Sequence, residues 1–417
     1  LVSNNLKIEF STPTDGYITA EELGDGSNLE GIETNGFCVS TCDITVFAED
    51  DAPTHWHLVS QGNLFVTKDS TPVRDHQILG GTLSDPLLIL NLEADSEDID
   101  VTYIGIDIEG EDQSIERLEL YLEGSPTPFA HATFGGAKAG DDLGARMENQ
   151  QLVIPEGNNM DILIRANIKS DTNGGVSGDE FVIATDNVLA RGAESSNDLS
   201  INDGDEAAEG EIFIGNSAIG PNAVNIMGSN NVVVMSKITS ITNANPDSDN
   251  TPIPTGPTPF GQFKFTAAAN SNSYMGTNSV VLTDLIFNVN ATNVEMDGTK
   301  FKLYNKADYT VTHACTVDNN AQPVVSGSML VVCKNISGID ASIDSGNAAT
   351  FVLEGEVINA QVSASTTSVL QASLQQFNDI DAVGNHILWL DQDAGGNQSF
   401  DWVEYRDTVV NSTTYKS

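Results

Sequence analysis

Short apolar runs recur at a spacing of roughly ten residues along almost the whole chain, with turn clusters between them and almost no helical periodicity. Successive side chains of a strand point to opposite faces, so a chain patterned this way buries its apolar residues by facing one sheet against another. The runs are Leu87–Leu92, Val101–Ile108, Leu118–Leu122, Gln151–Ile154, Asp161–Ile168 and Glu180–Ala184. Turn signals divide them, among them Glu109-Gly110-Glu111-Asp112 and Pro155-Glu156-Gly157-Asn158. This rhythm predicts an all-β chain of immunoglobulin-like sandwiches.

A second set of runs follows: Gly261–Ala268, Ser279–Asn290, Lys300–Tyr304, Met329–Cys333, Ala349–Ile358 and Ser368–Leu374. The two sets read as diverged copies at an offset of about 170–190 residues, a duplicated domain rather than a short repeat. Leu90–Ala94 parallels Phe263–Ala267, and Ile104–Ile108 parallels Leu285–Val289. Leu118–Tyr121 parallels Phe301–Tyr304, and Asp161–Ala166 parallels Thr350–Gly355. Three regions are expected: an N-terminal extension over 1–58, a first sandwich over 59–215 and a second over 216–417. The run Asn231–Met235 is expected to open the second sandwich, and the Pro-rich 251–260 to form a stiff loop. The extension holds strand-like Leu6–Phe10 and Asp43–Phe47 without a core of its own, which suits either an incomplete domain or strands lent to another one, as to a neighbouring subunit's sheet edge. The last residues, 400–417, are expected at subunit contacts for the same reason.

Sixty Asp+Glu against seventeen Lys+Arg give a net charge of −43. That sign argues against nucleic acid and anionic membrane as partners, because both need clustered Lys and Arg. No apolar stretch is long enough for a membrane span. Leu1 opens the chain with no Met and no signal peptide, which reads as a processed mature chain or part of one. Four Cys fit structural disulfides in an oxidising compartment. They allow three pairings; Cys38–Cys42 with Cys315–Cys333 is expected because each pair is local, free buried thiols being the alternative. Sequons at Asn290, Asn335, Asn397 and Asn411 are glycosylation candidates.

No nucleophile elbow, zinc-protease motif or phosphate loop is present, and with three Trp there are few platforms on which a sugar could stack. The chain is expected not to be an enzyme. His55-Trp56-His57 could set two imidazoles on one strand face, with an exposed loop as the blander alternative. Calcium is the cofactor hypothesis, since acidic turns can supply six to eight oxygens. Asp203, Asp205, Glu209 and Glu211 alternate around Gly204 and Gly210; Asp391 and Asp393 flank a second D-x-D turn beside Asn397; Asp95, Glu97, Asp98 and Asp100 form a third candidate. Solvated turn acids are the competing reading of each. Trp389 and Trp402 are expected as core anchors, with Asp401–Tyr405 a half-buried strand.

Lys237–Asp247, followed by Gly261–Ala268, resembles the surface-layer-type proteins of Patescibacteria, the candidate-phyla-radiation bacteria. Val73-Arg74 with Leu79-Gly80-Gly81, Glu97–Thr102, Glu116–Leu120, and Ser170-Asp171 with Val176–Gly178 resemble further blocks, as do Trp389-Leu390-Asp391 and Asp401-Trp402 near the end. The resemblance covers roughly 60–417 and is specific in the 237–268 block. It implies a secreted, cell-surface structural protein and carries over no catalytic residue. The expected function is therefore a self-assembling extracellular subunit of a lattice or filament, with copies of itself as partners. The alternative is an adhesin that binds glycan or cell-wall polymer.

Overall fold

The computed structural model describes residues 61–147, 152–202, 210–215, 225–268, 278–318, 324–378, 384–392, 397–405 and 407–417, and the backbone of a short antiparallel pair, Ala20–Glu21 with Asn28–Leu29. Almost all of it is strand and turn, and among the described residues no helix is long and apolar enough to cross a membrane. The principal strands of the first half are β1 (Asn63–Lys68), β2 (His76–Leu79), β3 (Leu88–Asp95), β4 (Ile99–Gly110), β5 (Ile115–Leu122), β6 (Leu143–Arg146), β7 (Asn159–Ile168), β8 (Glu180–Thr185), β9 (Val188–Gly192) and β10 (Asn231–Val234). The second half contains β11 (Ile238–Asn243), β12 (Gly256–Ala267), β13 (Ser279–Asp297), β14 (Lys302–Asn305), β15 (Val324–Lys334), β16 (Ala348–Asn359), β17 (Val369–Gln375) and β18 (Ile387–Gln392). Each half is a curled sheet whose opposite faces meet over one apolar core, giving tandem immunoglobulin-like sandwiches.

The duplication read from sequence is reproduced in the pairing registers. In the first half β7 lies between β3 and β5; in the second β16 lies between β12 and β14. Ile162 faces Leu90 and Phe351 faces Phe263, residues that the two copies place at equivalent positions. Leu163 faces Tyr121 as Val352 faces Tyr304. The long strand β4 pairs Ile106 with Leu143, Ile108 with Ile183 and Ile104 with Val188; its counterpart β13 pairs Phe287 with Val331, Val289 with Ala372 and Leu285 with Ile387. A one-residue slip would send every core side chain to solvent, so registers this consistent mark one fold used twice. A cross-strand charge pair has inverted between the copies. Arg165 faces Glu119 in one, whereas Lys302 faces Glu354 in the other, its Nζ 2.9 Å from Oε1. Opposite charge across the ladder is kept while its direction is not. The neighbouring tyrosines are equivalent too: Tyr121 donates to Glu119 at 2.6 Å, and burial together with Glu354 pushes the Tyr304 hydroxyl up to about 12.

Four expectations change. Asn231–Val234 does not open the second sheet; it pairs antiparallel with β8 and parallel with β2. Its side chains divide between the halves: Val233, followed by Met235, packs into the first core, Val232 and Val234 into the second. A strand buried on both faces shows no alternation, which is why its ownership is invisible in the sequence. The Pro-rich segment is strand from Gly256 onward, pairing Pro257 and Pro259 with β16, and its ladder shifts register between Pro259 and Gly261. The last residues complete the chain's own sheet. Val409–Asn411 and Tyr415–Lys416 pair with β17, and Val403, Val410 and Tyr415 are buried in the second core. Residues 401–405 are irregular rather than a strand, while Trp389 and Trp402 are the core anchors expected.

Cys315 and Cys333 form a disulfide 18 residues apart in sequence; Cys38 and Cys42 lie outside the described residues. Because β10 contributes to both cores, the halves are expected to unfold together, as one calorimetric transition. Two transitions separated by more than about 10 °C would show that the shared strand does not couple them.

Candidate functional site

The residues that approach one another across the junction come from β2, the loop before β8, the turn after β10, β18 and the segment 402–405. Sequence distance hides them, since Gln77 and Glu404 are separated by 327 residues. Two carboxylates organise the region. Asp391, at the end of β18, is fully buried and accepts from Ser177 Oγ at 2.6 Å, from the Met235 amide, and from the Ser236 amide and hydroxyl at 2.9 and 2.7 Å. It thereby fastens the second sheet to the loop before β8 and to the chain leaving β10. A buried carboxylate is tolerable when donors surround it, and each of these bonds is charge-assisted.

Glu404 is the second. Its Oε1 lies 2.9 Å from His76 Nδ1, while Oε2 accepts from the Gln77 amide at 3.0 Å and from Lys237 Nζ at 2.8 Å. Burial alone would raise the Glu404 pKa, but the His76 hydrogen bond and the Lys237 charge outweigh it and hold the carboxyl down at about 2. It is therefore ionised, and His76 Nδ1 must carry the shared proton. The buried Gln77 side chain reads the same segment: Nε2 donates to Trp402 O at 3.0 Å and Oε1 accepts from the Glu404 amide at 3.3 Å. Trp389 Nε1 donates to that same Trp402 carbonyl at 2.8 Å. Beside Glu404 opens a cleft of about 760 Å³ lined by Arg74, His76, Asp85, Trp402, Glu404 and Tyr405, among others.

The calcium candidates separate differently. Asp203, Asp205, Glu209 and Asp393 lie outside the described residues, as do His55, Trp56 and His57. Asp391 is a correction: protein donors fill its oxygens inside the junction, and it does not form a solvent-facing D-x-D turn. Glu211 is buried on a strand, where Asn202 donates to it. The third set does not converge. Glu97 is buried and accepts from the Gly62, Glu194 and Ser195 amides and the Ser195 hydroxyl; Asp98 caps the Glu156 amide; Asp100 binds Arg191; Asp95 faces solvent. Among the described residues, one group of three His, Cys, Asp or Glu ligand atoms lies within 4.8 Å of one another: His76, Asp85 and Glu404. Sequence reasoning missed it because the ligands are scattered. Asn290, Asn335 and Asn411 are exposed, as glycosylation needs, while the side chain of Asn397 lies outside what is described.

A further acid group sits around β4. Asp141 accepts from the Tyr103 hydroxyl at 2.7 Å and from Asn187 at 3.0 Å, and Asp142 accepts from the Ile108 amide at 2.8 Å. Burial, then the charges of Asp186, Asp141 and Asp142, push Asp107 up to about 6.

No protein-family model matches the chain, and no curated protein matches its sequence. Solved structures similar to it include the C-terminal domain of the AgI/II polypeptide BspA of Streptococcus agalactiae, at 7% identity and TM-score 0.20, covering 84% of this chain and 99% of that one. The full-length major pilin SpaD of Corynebacterium diphtheriae is similar at 10% identity and TM-score 0.22, covering 86% and 65%. The CupB6 tip adhesin of Pseudomonas aeruginosa is similar at 9% identity and TM-score 0.16, covering 86% and 98%. Likenesses at this level carry no functional inference.

Asp391→Ala is expected to lower stability by roughly 3 kcal/mol, since it strands several buried donors at once. Urea denaturation measures this, and a loss below about 1 kcal/mol would remove Asp391 from its fastening role. Asp107 has a folded pKa of about 6 against 3.8 ordinarily, so its charge costs stability above pH 6 and nothing below pH 3.8. Asp107→Asn is therefore expected to stabilise the protein at neutral pH, with the gain fading as pH falls from about 6 toward about 4. Melting curves across that range would contradict this if the gain were constant.

Proposed function

We propose that the chain is a structural subunit of an extracellular assembly, a surface lattice or filament, and that its role is mechanical. The observation that supports this is the junction. Two sandwiches joined by a flexible linker move independently by default. Here a strand shared by both cores, a buried Asp391 fastening and the Glu404–Lys237–His76 group stand in place of such a linker. A unit of this stiffness transmits force and keeps lattice angles fixed. The surface-layer resemblance over residues 60–417 points the same way.

Subunit contact falls to the N-terminal extension, residues 1–58, because the C-terminal strands are already used within the chain. Ca²⁺ held by the acidic residues Asp203, Asp205, Glu209 and Asp393 would reduce the self-repulsion of a −43 chain. The competing adhesin reading is weaker here, because the two described tryptophans, Trp389 and Trp402, are in the core instead of on a binding face.

Negative-stain micrographs of the purified protein, with and without a calcium chelator, test the reading. Regular arrays or fibres that disperse in chelator are expected, and removal of residues 1–12 is expected to abolish them. Monodisperse single particles under all calcium conditions would overturn the assembly role. Arrays that persist in chelator would overturn the calcium dependence alone.

A further inference from the structure

We propose that His76, Asp85 and Glu404 bind a single divalent transition-metal ion, zinc in class, as a clip across the junction. His76 comes from β2 and Asp85 from the loop between β2 and β3, both in the first half. Glu404 belongs to the C-terminal segment packed on the second core. An ion held by all three would bind the halves together directly.

The geometry favours this chemistry in four ways. The ligand atoms already lie within 4.8 Å of one another, and His76 Nδ1 is 2.9 Å from Glu404 Oε1. Around tetrahedral zinc, bonds of about 2.0–2.2 Å set neighbouring ligand atoms roughly 3.3 Å apart. The closest pair must spread by a few tenths of an ångström, and Asp85, whose side chain is exposed, is free to swing inward. Glu404 is also oriented from behind. Its far oxygen, Oε2, is held by the Gln77 amide and Lys237, which leaves Oε1 aimed at the cleft. Such outer partners set the direction of metal-ligating carboxylates. His76 is only 8% exposed, so its ring is fixed by packing.

The ligand set also selects the ion. One imidazole with two carboxylates suits zinc and its neighbours, whereas calcium needs six to eight oxygens and no nitrogen. On binding, the ion replaces the proton shared between His76 Nδ1 and Glu404 Oε1. The ring then carries its N–H at Nε2 and meets the ion through Nδ1. Three protein ligands leave a position for water on the cleft side. Asp75 lines the same cleft and adds negative potential, while Arg74 and Lys237 oppose it; the chain's overall charge favours cation entry.

The test uses the full chain. Metal-stripped protein is titrated with Co²⁺ in physiological salt and excess Mg²⁺, which occupies the remaining acids. A visible d–d band of tetrahedral intensity at one equivalent, displaced by Zn²⁺ and not by Ca²⁺, is expected. Asp85→Asn is expected to weaken binding at least about tenfold while leaving the metal-free melting temperature unchanged. Asp85→His restores a ligand and is expected to recover the band, His76→Ala to remove it, and the double change His55→Gln/His57→Gln to leave it intact. Absence of the band, a band indifferent to Asp85→Asn and His76→Ala, or one lost with His55 and His57 would each overturn the proposal.

Discussion

The burial of β10 on both faces is the constraint on which the rest of the molecule depends. A strand at the border between two sandwiches has one face for each. Val232 and Val234 fill one core while Val233 and Met235 fill the other, so neither core is complete without the same few residues. Its backbone is equally committed, bonded to β8 on one side and to β2 on the other. Once β10 is fixed, the turn at Met235-Ser236 has a fixed position, and that turn supplies three of the donors around Asp391. The parallel pairing of β2 likewise fixes His76 and Gln77, two of the residues that reach Glu404. Apolar burial therefore sets the geometry, and the carboxylates turn it into directional attachment. Their hydrogen bonds cost little ordering entropy because the strands that carry them are already immobile.

Much of the fold was legible because it is written locally. Alternation along β3, β4, β7 and their counterparts identifies strands, and the parallel between Asp161–Ala166 and Thr350–Gly355 marks them as equivalent strands of two copies. Cys315 and Cys333 were legible for the same reason: a short hairpin brings them together. The candidate site was hidden because long-range pairing creates it. Asp391 in the sequence stands in an acidic, Gly-rich stretch that looks like a solvated turn; in the fold, the loop carrying Ser177 closes over it. His76 and Glu404 sit at opposite ends of the chain, and nothing around either residue marks it as a partner of the other. Local pattern fails at β10 as well, since the run from Asn231 to Met235 reads as strand but not as a strand belonging to both halves.

The acidic composition takes on two physical characters. Some carboxylates are structural: Glu97 gathers three amides and a hydroxyl, Asp100 holds Arg191, and Asp391 and Glu404 tie the halves together. These are paired with donors, and their charge is consumed in the fold. Others oppose one another, as Asp107, Asp141, Asp142 and Asp186 do around β4, where the pKa of Asp107 records the repulsion. With seventeen Lys+Arg in the whole chain, basic side chains cannot neutralise the second kind. Protons, cations and distance through solvent are the means left, and distance is limited where a sheet holds the acids side by side.

This shortage of basic residues also explains where those few are spent. Lys237 has its ammonium at the junction, bonded to Glu404 and to the Gln77 carbonyl at 2.6 Å. Lys302 faces Glu354 within the second sheet, and Arg191 holds Asp100 within the first. Surface pairs of this kind contribute little in isolation. A half-buried Lys237 between two halves is different, because loss of its charge would leave Glu404 with His76 and one amide as its remaining partners and a higher cost of ionisation. The placement of cations, more than their number, thus reinforces the attachment that the shared strand sets up between the two halves.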